Sequence, residues 1–182
     1  MHWYMRRTNS AKSDLVQLVE SLGDRSGLVL VEIGSYMGES ACVFAGSGKF
    51  SRIICVDPWI DIDGNDGNAY RGMSDVEKAF DENVKDFGCI EKFKGTVDDL
   101  VASGKLGDVS VDMVYIDGMH TYEGCSHDIS VCRESICPRV AYAGHDYTDK
   151  IAHVVGVKKA VNEVFGAPDA VFCDNSWIKF IN

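Results

Sequence analysis

The chain has 182 residues, 46% of them hydrophobic and 25% charged, which suits one globular domain with a single sizeable core. A net charge of −10 repels an extended phosphate backbone, and Arg6-Arg7 and Lys158-Lys159 are isolated pairs with no basic stripe, so nucleic acid is not an expected partner. No apolar run reaches the ~20 residues of a membrane span, and the opening MHWYMRRTNS lacks the features of a secretory signal, so a cytoplasmic protein without a membrane partner is expected.

Along the chain, Leu15, Leu18, Val19 and Leu22 repeat at helical spacing inside an N-terminal helical segment (1–25) that ends at Gly23. LVLVEIG (28–34) is apolar throughout, as expected of a strand buried on both faces of a parallel sheet. A short helix (39–45) and a second strand (52–57) follow, then a polar Gly/Asp-rich loop (58–73). The loop reads as a lid with Trp59 and Tyr70 as aromatic walls; it fails as a calcium-binding EF-hand loop because Asp66 and Gly72 stand where Gly and Glu are required. Val76, Phe80, Val84 and Phe87 mark a helix over 74–87, followed by a strand at 90–94, a helix at 97–103 and a strand at 111–116. Cys125, Ile129, Cys132 and Ile136 share one face of a helix over 125–135. A strand at 139–143, a helix at 155–165 and a C-terminal antiparallel hairpin turning at Asp174-Asn175 complete the chain. Strand and helix alternate throughout, which predicts one α/β domain with a doubly wound, mostly parallel sheet. The seven cysteines include no C-x-x-C and read as reduced, buried, hydrophobe-like side chains.

Ligands of such sheets sit at the carboxyl ends of the strands. Those ends carry Glu32-Ile33-Gly34, Asp57, Lys94-Gly95-Thr96, Asp117-Gly118 and Gly144-His145-Asp146, each a glycine or a polar group. EIGSYMGES (32–40) is a glycine turn leading into a helix, where close backbone approach and free N–H groups favour a ligand. Its Gly34-x-x-x-Gly38 spacing is neither the G-x-G-x-x-G of a dinucleotide site nor a Walker loop. Glu32 favours a cationic ligand such as a sulfonium or its ammonium group, and Asp57 can take both ribose hydroxyls.

EIGSYMGESA, VDPW (56–59), YIDGMHTYEGCSHDI (115–129) and AGHDY (143–147) resemble the class I S-adenosylmethionine-dependent methyltransferases. More narrowly they resemble the group with macrocin-type sugar O-methyltransferases and cephalosporin-hydroxylase-like proteins. The likeness spans about residues 28–165. It implies a seven-stranded Rossmann-like sheet with a reversed last strand. It also implies S-adenosylmethionine beside Glu32, Gly34, Ser35, Tyr36, Gly38, Ser40, Pro58 and Trp59, with Asp57 on the ribose. Thr96 and Val97 would lie beside the adenine, and Asp117 would close the donor site.

Methyl transfer to a hydroxyl needs alignment and loss of the acceptor's proton. Asp117 and Asp146 end successive strands and could share Mg²⁺ or another divalent cation. The resemblance implies Asp117, His145 and Asp146 as the metal set, although related metal-dependent enzymes usually carry Asp where His145 stands, and it implies His120 as general base. Tyr122 and Glu123 are read as capping the next helix or orienting the loop; Asp128 is read as second shell or solvated. The leading expectation is therefore an O-methyltransferase acting on a small hydroxylated acceptor, with an oligomer available to complete the acceptor pocket. The competing readings are a non-catalytic S-adenosylmethionine binder or hydroxylase-like relative, and an NAD-linked oxidoreductase, which lacks its glycine fingerprint.

Overall fold

A run such as LVLVEI, apolar on both faces, is satisfied only between two helical layers, and that is where it lies. The computed structural model describes residues 9–62 and 71–181. In chain order the elements are α1 (Asn9–Glu20), β1 (Leu28–Ile33), α2 (Glu39–Gly46), β2 (Phe50–Asp57), α3 (Met73–Val84), β3 (Ile90–Lys94) and α4 (Val97–Ala102). There follow β4 (Met113–Ile116), α5 (Tyr122–Val131), β5 (Ala141–Gly144), α6 (Val155–Phe165), β6 (Ala170–Val171) and β7 (Trp177–Phe180). The seven-stranded sheet has the order β3-β2-β1-β4-β5-β7-β6. The pairs among β1 to β5 are parallel, and β7 runs antiparallel to both β5 and β6.

Alternate residues feed two cores. Leu30, Ile53, Met113 and Tyr115 pack with Leu15, Phe44 and Phe80 from α1 to α3. Val31, Ile54, Val114 and Ile116 pack on the other face with Leu100, Ile129 and Val161 from α4 to α6. The chain builds β1, β2 and β3 outward in one direction and then crosses to place β4 on the other side of β1. The crevice between the ends of β1 and β4 is the switch point where ligands bind in open α/β sheets.

The expected class and element order are all present, with the reversed strand β7 inserted between β5 and β6. Helix α5 starts three residues earlier than the periodicity indicated, because Thr121 is its N-cap and accepts a bond from the Gly124 amide. It ends in a π-helical turn (Cys132–Ile136) in which Cys137 N donates to Cys132 O at 2.8 Å. Pro138 follows and cannot continue the ladder. β4 and β5 are shorter than the apolar runs suggest because Asp112 occupies the entry to both. Its carboxylate accepts from Val29 N at 2.9 Å and from Arg139 Nη2 at 2.6 Å. Four cysteines are buried as expected, Cys42, Cys55, Cys125 and Cys132, and all seven are free thiols. Cys137 and Cys173 are exposed, contrary to the sequence reading, because one closes a helix and the other lies next to the hairpin turn. Among the described residues no helix is long and apolar enough to cross a membrane.

Candidate active site at the strand ends

Gly34 ends β1 with φ +85°, and a Cβ there would lie 2.1 Å from the Asp117 carbonyl oxygen. Only glycine lets the two strand ends meet so closely. Two residues with side chains, Tyr36 (φ 45°) and Trp59 (φ 43°), adopt left-handed conformations on either side of Asp57. Such a conformation costs about 1–3 kcal/mol per residue and persists only where its surroundings enforce it. Here the enforcing group is the Asp57 carboxylate: Tyr36 N donates to Oδ2 at 2.9 Å and Trp59 N to Oδ1 at 2.8 Å. The Trp59 indole N–H then donates to Tyr36 O at 2.8 Å and closes the ring of bonds. Burial pushes the Asp57 pKa up, and the two amide bonds pull it back. Each fixed carboxylate oxygen keeps a lone pair for a hydroxyl of a ligand.

The neighbours of this cradle differ in part from the sequence reading. Trp59 is not a cavity wall; its ring is buried, 4.9 Å from the Phe80 ring, and only its backbone amide serves Asp57. Glu32 is fully buried beneath α2, accepting from Ser40 Oγ and Cys55 Sγ, and is not among the residues that line the cavity. The reason is strand parity: Glu32 shares the inner face with Leu28 and Leu30. Burial raises the Glu32 pKa, while its hydrogen bonds lower it. Gly38 also faces away, since a Cβ there would press on Val84 and Phe80 of α3. Ser35 and Ser40 line a small recess of about 90 Å³ with Gly34, Tyr36 and Asp117.

On the other side of the crevice, β4 and β5 end in Asp117 and His145-Asp146. Gly144 permits their approach, because a Cβ there would lie 2.3 Å from Ile116 O. Asp146 is itself held at φ 60°. His120, on the loop after β4, brings Nε2 to 3.1 Å from Asp146 Oδ2 and 3.6 Å from Asp117 Oδ1. Among the described residues, Asp117, His120 and Asp146 form the group whose ligand atoms lie within 4.8 Å of one another and could hold a metal ion. His145, expected in that set, stands outside it. Its Nδ1 is 3.1 Å from Asp146 Oδ1 but 4.0 Å from Asp117 Oδ1, and its Nε2 lies 4.0 Å from Asp174 Oδ2. Burial disfavours a charge on His120, yet its contact with Asp117 and the charges of Asp117 and Asp146 outweigh burial and raise its pKa.

Both halves open on one cavity of about 620 Å³. Gly34, Tyr36, Asp57, Pro58, Thr96 and Val97 line one side, and Asp117, His120, His145 and Asp146 the other. The sequence reading missed Ile60, Ile62, Met73, Met119 and Asp128 as lining residues. Asp128 is buried; it stands three residues after Cys125 and one before Ile129, a spacing that already put it on the inner face of α5. Tyr122 and Glu123 do not cap α5. The Tyr122 ring instead lies 3.8 Å below Lys159 Nζ, and Glu123 is exposed. Of the proposed lid, residues 63–70, including Tyr70, lie outside the described residues. Its two ends are joined where Asp61 accepts from Met73 N at 2.8 Å.

A family model described as a methyltransferase domain matches residues 31–147. The chain belongs to that family. Solved methyltransferases share the fold of this domain. CalS11, a TDP-rhamnose 3′-O-methyltransferase of calicheamicin biosynthesis, superposes with a TM-score of 0.62 at 16% identity, over 95% of this chain and 80% of its own. TomG from Streptomyces achromogenes, an O-methyltransferase of tomaymycin synthesis in complex with SAM, gives 0.60 at 15% identity over 97% and 82%. An O-methyltransferase from Bacillus cereus in complex with SAH gives 0.59 at 15% identity over 94% and 80%. No curated protein sequence matches the chain.

The residues present fit S-adenosylmethionine, the donor of this methyltransferase family. Asp57 offers two fixed acceptors for a ribose diol, and Gly34 bares backbone that a side chain would cover.

Proposed function

We propose that the protein is a small-molecule O-methyltransferase that uses His120 as general base, with a divalent cation on Asp117 and Asp146. The observation that carries this reading is the convergence of His120, Asp117 and Asp146 in the same cavity as the Asp57 cradle, with the two carboxylates taken as the cation's ligands and His120 Nε2 kept for the proton and not as a third ligand. Bound S-adenosylmethionine supplies an electrophilic methyl group, which needs a positioned, deprotonated oxygen and little else. A divalent cation such as Mg²⁺ supplies Lewis acidity that makes a nearby hydroxyl easier to deprotonate.

The chain's own groups do the remaining work. Gly34, Tyr36 and Asp57 hold the donor against the end of β1. Asp117 and Asp146 face the acceptor side, and the His120 ring stands beside both to take the hydroxyl proton at Nε2. On their own those carboxylates favour the protonated ring; positive charge held on them would withdraw that bias and leave Nε2 open to a proton. His145 bonds Asp146 and holds its carboxylate in place.

Labelled-methyl transfer to a panel of hydroxylated compounds, with Mg²⁺ and with chelator, tests the reading. His120→Ala is expected to lower turnover by about 100-fold or more, the usual worth of a general base. Donor affinity should be retained and the acid limb of the rate profile lost. Unchanged turnover in His120→Ala would remove the base, and turnover indifferent to chelator would remove the cation.

A further inference from the structure

The charge of the cavity wall is one-sided. Asp57, Asp117, Asp128 and Asp146 all line it, and among the described residues no Lys or Arg does. The undescribed part of the loop, DGNDGNAY (63–70), contains neither residue. Nearby lysines are committed elsewhere. Lys94, just before the lining Gly95, pairs with Glu77 at 2.6 Å, and Lys92 lies between Asp81 and Glu77 with its Nζ 5.0 Å from the Trp59 ring centroid. A divalent cation held by Asp117 and Asp146 would cancel their charge without making the wall cationic, because no described Lys or Arg lines it. The rest of the mouth is apolar, with Ile60 and Met119 both exposed there and Ile62 and Met73 beside them.

Phosphate and nucleotide groups are recognised by Arg forks, Lys ammonium groups or helix N-termini. None of the described side chains that line this cavity provides the first two; Arg71, two residues before the lining Met73, is exposed and lies outside the lining. An anionic acceptor brought to a wall that carries carboxylates and no Lys or Arg finds no counter-charge there and is repelled, more strongly as water leaves. We propose that the acceptor is a neutral or cationic hydroxylated compound with an apolar body, and not a phosphorylated or nucleotide-linked one. This deepens the O-methyltransferase reading and rests on it. It also separates this chain from CalS11, named for a nucleotide-linked sugar, despite the shared fold.

Calorimetric titration tests the proposal in two steps. S-adenosylhomocysteine is titrated first; failure to bind there counts against the methyltransferase reading itself. The loaded protein then receives four probes: 4-methylcatechol (neutral), dopamine (cationic), 3,4-dihydroxybenzoate (anionic) and TDP-rhamnose. The first two are expected to bind at least tenfold more tightly than the third, and TDP-rhamnose to give no heat at millimolar concentration. Met119→Lys, at the exposed rim, is expected to narrow the gap between the neutral and anionic catechols about tenfold. Equal or tighter binding of 3,4-dihydroxybenzoate or TDP-rhamnose to the unmodified protein overturns the proposal, as does binding of none of the four.

Discussion

A carboxylate buried on the inner face of a helix must find donors or give up its charge. Asp128 meets this condition under the loop that carries His120: a Cβ on Gly118 would lie 2.9 Å from its Oδ2, and it accepts a bond from the Met119 amide. Burial dominates and pushes its pKa up to about 6, from an ordinary carboxylate value of 3.8. The folded protein therefore holds this proton more tightly than the unfolded chain does. The resulting stabilisation is complete below the unfolded value and is lost as pH rises through about 6. Asp128→Asn mimics the protonated acid and can still accept from the Met119 amide. Denaturant midpoints of the two proteins should nearly coincide at pH 4, with the variant gaining as pH rises to 7.5, by up to about 3 kcal/mol for a two-unit shift. Parallel stability curves across that range would show that Asp128 keeps an ordinary pKa. At this scale the sequence was legible where chemistry decides position. Asp57, Asp117, His120 and Asp146 are strand-end groups that nothing in a core would satisfy, and all four line the cavity. It was illegible where face decides position: Glu32 and Trp59 look like ligand-binding groups, and parity and packing send both inward.

Elements follow the same division. Strand β3 and helix α6 have the bounds that their apolar patterns predict. Two of the ends that moved are set by a side chain bonding to backbone, which periodicity does not encode. Thr121 starts α5 early, and Asp112 delays β4 and β5. Asp112 ties three strands together at the edge opposite the cavity. Its carboxylate takes Val29 N and the Arg139 guanidinium, while its backbone carbonyl accepts from Val140 N at 2.8 Å. Asp112→Ala leaves the Val29 amide without its acceptor, a loss of about 1–3 kcal/mol. Asp112→Asn retains that acceptor and forfeits mainly the ion pair with Arg139, whose side chain is 61% exposed and worth correspondingly little. Urea titrations should therefore rank wild type, Asn and Ala in falling stability, with the larger step between Asn and Ala. A larger step at Asn would mean that the ion pair, and not the amide acceptor, holds the edge.

For the whole molecule, the two halves of the site belong to different strand ends, so donor binding and cation binding should be separable by mutation. A ligand that binds only the folded state stabilises it by RT ln(1 + [L]/Kd), about 2.7 kcal/mol at a hundredfold excess over Kd. For a chain of this size that raises Tm by roughly 5–10 °C. S-adenosylmethionine should produce a rise of this order and NAD none, since the Gly34-x-x-x-Gly38 turn lacks the dinucleotide fingerprint. Asp57→Ala removes the fixed acceptors and also frees two amides held in left-handed backbone. It should lower the starting Tm and abolish most of the donor-dependent rise. Asp146→Asn lies across the crevice from that cradle and should keep the donor-dependent rise while losing any further increment from Mg²⁺. Scanning calorimetry of the three proteins with each ligand alone and in combination decides the matter. A donor response retained in Asp57→Ala, or an NAD response equal to that of S-adenosylmethionine, would separate the cavity from the donor site assigned to it. The arrangement of the sheet makes the expected asymmetry a consequence of topology: the Asp57 cradle hangs on the β1–β2 side of the switch point and the Asp117–His120–Asp146 cluster on the β4–β5 side.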